Sequence, residues 1–219
     1  MTKLLFIEGI PGSGKSTTAE LLNNALVASG VDATWYREEN KEHPVHPREI
    51  RNHKHRNTYP TLCLESWRDF VKKESASNTL HIMEGSAFQS TVRHMMEYER
   101  KNIMEYFNEF IKAVAPMNPA LIYLRPTNAL ELSRLISKQR GKKWTTLVSE
   151  YETNVPYSVT NNLVGIEGMH VFWQKYAELC DTLFSAWIGD KDIIKFKSGE
   201  WESHLSNALL FTTPLIAEN

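Results

Sequence analysis

The stretch FIEGIPGSGKSTTAE, residues 6–20, lies almost at the start of the 219-residue chain. A short, nearly continuous apolar run, residues 3–8, leads into its glycines, and an amphipathic segment, residues 15–29, follows them. Such a run is typical of a strand that is covered on both faces, and the segment after it has its apolar residues at helical spacing. We therefore predict a buried strand, a glycine-rich loop and a helix.

The loop itself matches the pattern GxxxxGK[ST] at residues 9–16. Its glycines permit positive φ and bring backbone N–H groups onto phosphate oxygens, while the positive end of the helix points at the same anions. Lys15 is expected to reach the β- and γ-phosphates of a nucleotide, and Ser16 is expected to bind Mg²⁺. The alternative, a chance glycine-rich turn, would not require a strand before the loop and a helix after it. The residues predicted to bind ATP are Gly9, Gly12, Ser13, Gly14, Lys15, Ser16 and Thr17.

The composition excludes several other classes of protein. The net charge is −1, from 25 basic and 26 acidic residues, so no overall field favours nucleic acid or an anionic membrane. The two cysteines, Cys63 and Cys180, are far apart in the chain and form no CxxC pair, which is typical of a reduced, cytoplasmic protein. The apolar runs are too short for a membrane span, and the first residues do not form a signal peptide. We expect a cytoplasmic protein without a nucleic-acid or membrane partner.

Strands and helices alternate along the rest of the chain. We predict strands at residues 3–8, 33–37, 79–83, 120–124 and 192–197, and helices at 15–29, 59–73, within 88–114, and at 128–138, 170–188 and 200–211. Residues 144–166 are ambiguous. The alternation is typical of an α/β fold, a three-layer α/β/α sandwich on a five-stranded parallel sheet with right-handed crossovers. No linker divides the chain, so we predict one domain over residues 1–219.

The pattern GxxxxGK[ST] is that of the phosphate-binding P-loop, and the sequence lacks the further motifs of several classes of P-loop protein. A Ras-type switch would carry DxxG after the third strand and NKxD after a later one, but neither motif is in place. The nearest match, NKEH from Asn40, comes too early and lacks the aspartate. The third strand ends in a single acid, Glu84, whereas motor-type ATPases usually have Asp-Glu there. These absences favour a kinase.

Three further stretches resemble the nucleoside and nucleotide kinases, the group of thymidylate and deoxynucleoside kinases. TWYREEN, residues 34–40, resembles the end of strand two in thymidylate kinases, where Arg-Glu precedes the acceptor site. IMEGSAFQS, residues 82–90, resembles the Glu-Arg-Ser stretch of deoxynucleoside kinases, with Gly85 in place of the arginine. IYLRPTNALELSRLISKQRGKKW, residues 122–144, resembles the stretch that leads into their basic lid.

This resemblance implies the sheet order 2-3-1-4-5, an acceptor-binding insert at about residues 38–75 and a helical lid at about residues 138–165. It also implies that Arg134 and Arg140 act on the transferring phosphoryl group and that Lys138 contacts the nucleotide. The alternative is that these cations only complement the negative end of a helix.

Glutamates follow strands two and three, where ligands bind in open α/β sheets. We predict Glu38 as the base that takes the proton of the acceptor, with Glu39 as its close competitor. Glu84 is assigned to Mg²⁺, through water, although it could be the base instead. The alternative for each is a solvated loop acid.

The acceptor site is predicted from a basic loop and from aromatic residues. Residues 43–57 hold four histidines and four cations, and three interpretations stay open: a surface loop, a metal site, or a loop that binds an anionic group of the acceptor. Two of its cations, three residues apart, could share one face of a short helix. Aromatic rings in this part of the chain could stack on a planar acceptor, or belong to the core. The acceptor-binding candidates are Glu39, Arg48, Arg51, Trp67, Phe88 and Arg93.

Together these patterns predict a Mg²⁺-dependent kinase that moves the γ-phosphoryl group of ATP to a small-molecule hydroxyl or phosphate. A nucleoside or nucleotide is the preferred acceptor, and an antibiotic or other metabolite is the next. The rival is an ATP-binding regulatory or interaction protein with slow ATPase activity, which would need neither an acceptor-side acid nor a basic lid. A homodimer is one state that the sequence allows.

Overall fold

The computed structural model of the chain describes residues 1–217. Within that range five strands form one parallel sheet in the order β2-β3-β1-β4-β5, as predicted. The strands are β1 (Leu4–Glu8), β2 (Ala33–Tyr36), β3 (Leu80–Glu84), β4 (Ala120–Pro126) and β5 (Lys191–Phe196).

Helices cover the connections between the strands. They are α1 (Lys15–Ala28), α2 (Arg48–Arg51), α3 (Tyr59–Glu74), α4 (His94–Glu97), α5 (Ile103–Val114), α6 (Ala129–Arg140), α7 (Lys142–Thr153), α8 (Pro156–Thr160), α9 (Gly165–Ala186) and α10 (His204–Ile216). A π-helical turn, Gln89–Arg93, precedes α4, and a 3₁₀ turn, Ala115–Met117, follows α5. No helix within residues 1–217 has the length and apolar character needed to cross a bilayer.

Several predicted segments differ from the structure, and among them α9 begins at Gly165 instead of residue 170 and α10 covers residues 204–216 instead of 200–211. The helix expected within residues 88–114 is divided into the π-helical turn, α4 and α5, and the chain takes a positive φ at Glu99 between the last two. The ambiguous residues 144–166 belong mostly to α7 and α8. Strand β4 continues past its predicted end at Leu124, because β5 pairs with it as far as Pro126.

The centre of the sheet is the core of the molecule. Every residue of β1 and β3 is buried, as expected for parallel strands covered on both faces. The ring of Phe6 in β1 meets Trp67, Phe110 and Trp187 edge to face, with centroids 5.5–5.6 Å apart. Helices α3 and α5, together with the residue that follows α9, thus supply the aromatic packing on which β1 rests.

The register of the sheet brings the loops of interest to one edge. Ile7 pairs with Glu84 across β1 and β3, and Tyr36 pairs with Met83 across β2 and β3. The carboxyl ends of β1, β2 and β3 are therefore level with one another. The glycine-rich loop and the acids that follow β2 and β3 leave the sheet side by side, at the edge where open α/β sheets bind ligands.

We predict that Trp67→Ala lowers the free energy of unfolding by about 3–5 kcal/mol, because it removes a large ring from a closed core. Trp67 is fully buried against Phe6 and Phe110. Urea unfolding measures the loss, with Trp35→Ala as the control, since Trp35 lies half-buried on the edge strand β2 and should cost less. An unchanged unfolding midpoint for Trp67→Ala would contradict this packing.

Candidate active site

The glycine-rich loop is packed against α6 and shaped for an anion. Gly12 has φ +80°, and a Cβ atom there would lie 2.3 Å from Cγ1 of Ile136, so α6 leaves room only for glycine. Gly14 is the N-cap of α1, with φ +91° and no capping side chain. The first N–H groups of α1 therefore keep no side-chain partner and, with the helix dipole, suit a phosphate.

The side chain of Lys15 is buried and folds back onto the glycine-rich loop. Its Nζ donates to the carbonyl oxygens of Gly9 (2.9 Å) and Ile10 (3.2 Å), and to Oε1 of Gln89 (3.0 Å). The ammonium group thus lies within the cradle and has no carboxylate partner at salt-bridge distance among residues 1–217. The residues present fit a nucleoside triphosphate, whose phosphates would replace the present hydrogen-bond partners of Lys15.

Ser16 and Glu84 form a pair that suits a magnesium ion. The Ser16 hydroxyl donates to Oε1 of Glu84 (2.9 Å), which also accepts from the backbone N–H of Glu38 (3.3 Å). Burial raises the pKa of Glu84, and the hydrogen bond from Ser16 opposes the rise. Mg²⁺ prefers oxygen ligands and commonly takes one or two from the protein and the rest from phosphates and water. The part of the chain that the structure describes holds no group of three or more acidic, histidine or cysteine ligands.

The two acids after β2 point in opposite directions. Both carboxylate oxygens of Glu38 accept from Nε2 of Gln89, at 2.9 and 2.8 Å. Burial raises the pKa of Glu38 to about 7, although Lys15 and Arg93 oppose the rise. Glu39 is exposed and pairs with Arg37 at 3.5 Å on the surface. The structure therefore places Glu38, and not Glu39, beside the loop.

Gly85 is what makes room for that carboxylate. Its φ is +62°, and a Cβ atom there would lie 2.7 Å from Oε2 of Glu38. A side chain at this position would be strained and would displace the acid. The glycine that replaces the arginine of the deoxynucleoside kinase stretch thus has a local structural reason.

Two residues of the site, Glu8 and Gln89, were not among the predicted ones. Glu8 ends β1 directly before the loop and is completely buried, and its Oε1 accepts from the N–H of Ala87 (2.6 Å). Burial raises its pKa to about 8, while the hydrogen bond from Ala87 opposes the rise. An acid at the end of an apolar strand could have drawn attention to Glu8, whereas no sequence signal separates Gln89 from other polar residues of its segment.

Arg93, predicted to bind the acceptor, lies in a buried ionic cluster. Its Nε is 3.3 Å from Oε1 of Glu97, its Nη2 contacts Glu152 of α7, and its guanidinium lies 5.7 Å from the ring centroids of Phe172 and Tyr176. Burial alone would lower the pKa of Arg93, but the two carboxylates raise it above its ordinary value. The cation is therefore already neutralised by two acids.

The same cluster joins the predicted lid to the predicted insert. The ammonium group of Lys54, in the insert, contacts the hydroxyl of Tyr151 in α7, and that hydroxyl donates to Oε2 of Glu97 (3.0 Å). Thr160, at the end of α8, donates to Glu99 (3.0 Å). Helices α7 and α8 therefore rest on the predicted insert and on the segment around α4.

The insert arginines differ in their surroundings. Arg48 and Arg51 do share a short helix, α2, as expected. Arg51 donates from Nη1 to the carbonyl of Glu38 (2.9 Å) and from Nη2 to that of Asn40 (2.8 Å), so it supports the loop after β2. Arg48 is exposed.

Burial contradicts the prediction that Trp67 and Phe88 stack on an acceptor. Both rings are fully buried. Phe88 meets Phe107 and Tyr123 edge to face, with centroids 5.9 and 6.0 Å apart. The alternative, that these rings belong to the core, is the one that the structure supports.

The basic turn lies outside the cluster around Lys15. Arg134 forms an exposed ion pair with Glu167 (2.9 Å), Lys138 is exposed, and Arg140 lies over the ring of Trp144 at 5.9 Å. Gly141, with φ +83° and open space around its Cβ position, separates α6 from α7. The structure does not bring the three cations onto the loop, so their action on a phosphoryl group stays a prediction.

Two histidines of the insert are buried and structural. Nδ1 of His43 accepts from the N–H groups of Val45 (3.3 Å) and His46 (3.2 Å), which leaves its Nε2 to donate to Oγ of Ser86 (3.3 Å). Nε2 of His46 donates to the carbonyl of Ser86 (3.3 Å). Burial, and then the charge of Arg51, lowers the pKa of His43 to about 4. Neutral histidines thus bind the insert to the turn after β3, and among residues 1–217 no three-ligand group supports the metal interpretation.

We predict that this arrangement makes stability fall as the pH falls from about 6.5 to about 4. The unfolded chain takes up a proton on His43 near its ordinary pKa of 6.5, whereas the folded protein resists until about pH 4, so the unfolded state binds more protons in this window. His43→Asn removes the titrating group and can still accept from the turn. The free energy of unfolding should then depend less steeply on pH, by up to about 1.4 kcal/mol per pH unit.

Urea unfolding of both proteins at several pH values between 4 and 8 measures the difference. His55→Asn is the matched control, because His55 is exposed. Parallel curves for the natural chain and His43→Asn would show that His43 titrates normally.

Comparison with known proteins supports the fold. No protein-family model matches the chain, and no curated protein does. Among solved structures, the chain is similar to the unliganded crystal structure of a sugar kinase from Janibacter sp. HTCC2649, with 15% identity, 100% of each chain covered and a TM-score of 0.52. A likeness at this identity shows the fold alone, an α/β sandwich on a parallel sheet. The narrower resemblance to thymidylate and deoxynucleoside kinases stays a prediction.

Proposed function

We propose that the chain is an ATP- and Mg²⁺-dependent kinase that moves the γ-phosphoryl group of ATP to a hydroxyl group of a small molecule. The observation that carries this proposal is the short path from Lys15 through Gln89 to Glu38, in which every hydrogen bond is 2.8–3.0 Å long. It joins a phosphate-binding cation to an acid suited to an acceptor. The similar solved structure is that of a sugar kinase, which points in the same direction.

The nucleotide half of the site would consist of the loop and α1. Lys15 and the first N–H groups of α1 would hold the phosphates, and Ser16 and Glu84 would hold Mg²⁺. When bound, Mg²⁺ neutralises negative charge on the phosphate oxygens. The remaining nucleotide contacts would come from the loop residues Gly9, Gly12, Ser13, Gly14 and Thr17.

Glu38 would act as the general base. Its pKa of about 7 suits a group that must be ionised to accept a proton and still accept it readily. The acceptor oxygen bonds to the γ-phosphorus as the bond to the bridging oxygen breaks and ADP leaves. The hydroxyl proton passes to Glu38. Phosphoryl transfer needs little else beyond positioning and neutralised charge.

The surroundings favour an acceptor that carries no phosphate. Arg51 is bound to backbone carbonyls and Arg93 to two carboxylates, so neither can meet an anionic group beside Glu38 without losing these partners. A nucleoside, a sugar or another hydroxylated metabolite, including an antibiotic, therefore fits better than a nucleotide.

We further propose that the turn between α6 and α7 closes over the nucleotide. Gly141 would serve as the hinge. The cations before it are exposed, namely Arg134, Lys138 and Arg140. Their movement toward the transferring group would complete the charge neutralisation. A regulatory ATP-binding protein, the rival function, would need neither this turn nor Glu38.

The first test measures ADP release with ATP and Mg²⁺ across a panel of nucleosides, sugars, other hydroxylated metabolites and nucleoside monophosphates. We expect stimulation by an uncharged acceptor and its loss in Lys15→Met, since the loop then lacks its cation. Tight ATP binding without stimulation by any acceptor would favour the regulatory alternative. Stimulation only by monophosphates would contradict the proposed acceptor class.

The second test compares Glu38→Gln with Glu39→Gln. The two residues are neighbours in the chain, but the side chain of Glu38 meets Gln89 whereas that of Glu39 is exposed. Glu38→Gln should lower kcat by about 10²–10⁴-fold, because the general base is lost, with little change in the affinity for ATP. In the natural chain kcat should rise as the pH increases through about 7, since Glu38 must lose its proton, and this rise should disappear in Glu38→Gln. Equal activity of the two variants would mean that another group takes the proton.

A further inference from the structure

Gln89 lies between the two halves of the site, and its partners determine how its amide is oriented. Lys15 can only donate, so it meets the amide oxygen at 3.0 Å. The carboxylate of Glu38 can only accept when ionised, so it meets the amide nitrogen, at 2.9 and 2.8 Å to its two oxygens. The amide oxygen of Gln89 therefore serves as the acceptor for Lys15 and its amide nitrogen as the donor to Glu38. A flip of the carboxamide group would lose both contacts.

The backbone around Gln89 is held from several sides. Gln89 opens the π-helical turn, a conformation that is rare and often found at functional sites. On one side of it, the N–H of Ala87 donates to the buried Glu8 (2.6 Å). On the other side, the carbonyl of Ser90 accepts from the hydroxyl of Tyr59 (2.6 Å). The side chain thus projects from a fixed support.

The contact that Gln89 makes with Glu38 depends on a neighbouring glycine. Gly85 leaves the space that the carboxylate occupies, since a Cβ there would lie 2.7 Å from Oε2. Gln89 then supplies the side-chain donor that both oxygens of this carboxylate share. A neutral amide holds the acid in place without adding a cation beside it.

We propose that Gln89 is a positioning residue, which holds the Glu38 carboxylate for the acceptor and links its position to the state of Lys15. The proposal rests on the kinase function proposed above. Before a nucleotide binds, the ammonium group of Lys15 donates to the amide oxygen of Gln89. A bound triphosphate draws Lys15 to its phosphates, and the amide oxygen is then free to accept from a second hydroxyl of the acceptor, while the amide nitrogen still holds Glu38 for the reacting one.

The link can be tested without knowing the acceptor, by ¹H–¹⁵N NMR of the side-chain amide of Gln89 in the full-length chain. Gln89→Met assigns the signal by removing it. We expect the signal to move in Glu38→Gln and in Lys15→Met, the two partner variants, and again when Mg²⁺ with a non-hydrolysable ATP analogue is added to the natural chain. A signal that ignores both partner variants, or ignores the analogue although calorimetry shows that it binds, overturns the proposal.

Kinetics then separate positioning from a structural role. With an acceptor found in the panel above, Gln89→Met should lower kcat by about 10–100-fold, as for a misplaced catalytic group, and leave the KM for ATP unchanged. Gln89→Glu, of the same shape, should be no better, because an ionised acid cannot donate to Glu38. The control is Gln174→Met, since Gln174 lies beside Arg125 and Asn128 on another surface.

These outcomes distinguish the two proposals. If Gln89→Met unfolds at the same temperature as the natural chain and retains full kcat, positioning by Gln89 is excluded while the kinase function stands. If no acceptor is turned over, the kinase function fails, and the NMR measurement still decides whether Gln89 links Lys15 to Glu38.

Discussion

The parallel pairing of β1 with β3 is the constraint on which the site depends. It sets Ile7 opposite Glu84, so the loop that follows one strand and the acid that ends the other leave the sheet at the same level. The hydroxyl of Ser16 can then reach that acid at 2.9 Å. A shift of one residue in this register would turn the side chain of Glu84 to the other face of the sheet and remove the pair.

Burying so many polar groups at this edge has a cost that the local hydrogen bonds only partly offset. Burial raises the pKa of Glu8 to about 8 and that of Glu38 to about 7, so both acids favour their neutral forms more than in water. For a raised carboxyl pKa, the folded state binds more protons than the unfolded state above about pH 4.5, and stability is lost as the pH rises toward the folded value. The buried His43 has the opposite dependence, because its lowered pKa costs stability as the pH falls. The buried acids of the site thus cost stability as the pH rises, which is common at functional sites, whereas the structural His43 costs stability as the pH falls.

The sequence predicted the parts of this site that follow from local pattern. The strand–loop–helix unit and the acids that follow β2 and β3 could be read from apolar runs and from the ends of strands, whereas the order of the sheet was implied by the resemblance to nucleoside and nucleotide kinases. What could not be read are contacts between distant segments. Gln89 is 51 residues from Glu38 and 74 from Lys15, and no spacing rule connects them. Likewise, the periodicity around Trp67 is the same for a core ring and for a ring in a binding site, and only the packing of α3 on β1 decides between them.

The insert and the turn at Gly141 differ in their contacts, whereas α7 and α8 are joined to the insert side by the buried cluster around Arg93. The insert is tied to the turn after β3 by His43 and His46, and its Arg51 holds the carbonyl of Glu38. These are buried or partly buried contacts, which restrict the acceptor side before any ligand arrives. The turn at Gly141 has no such contacts around its Cβ position, and the cations before it are exposed. Under the proposed closure, nucleotide binding rather than acceptor binding would determine when the site closes, because the charge that attracts the turn is that of the phosphates.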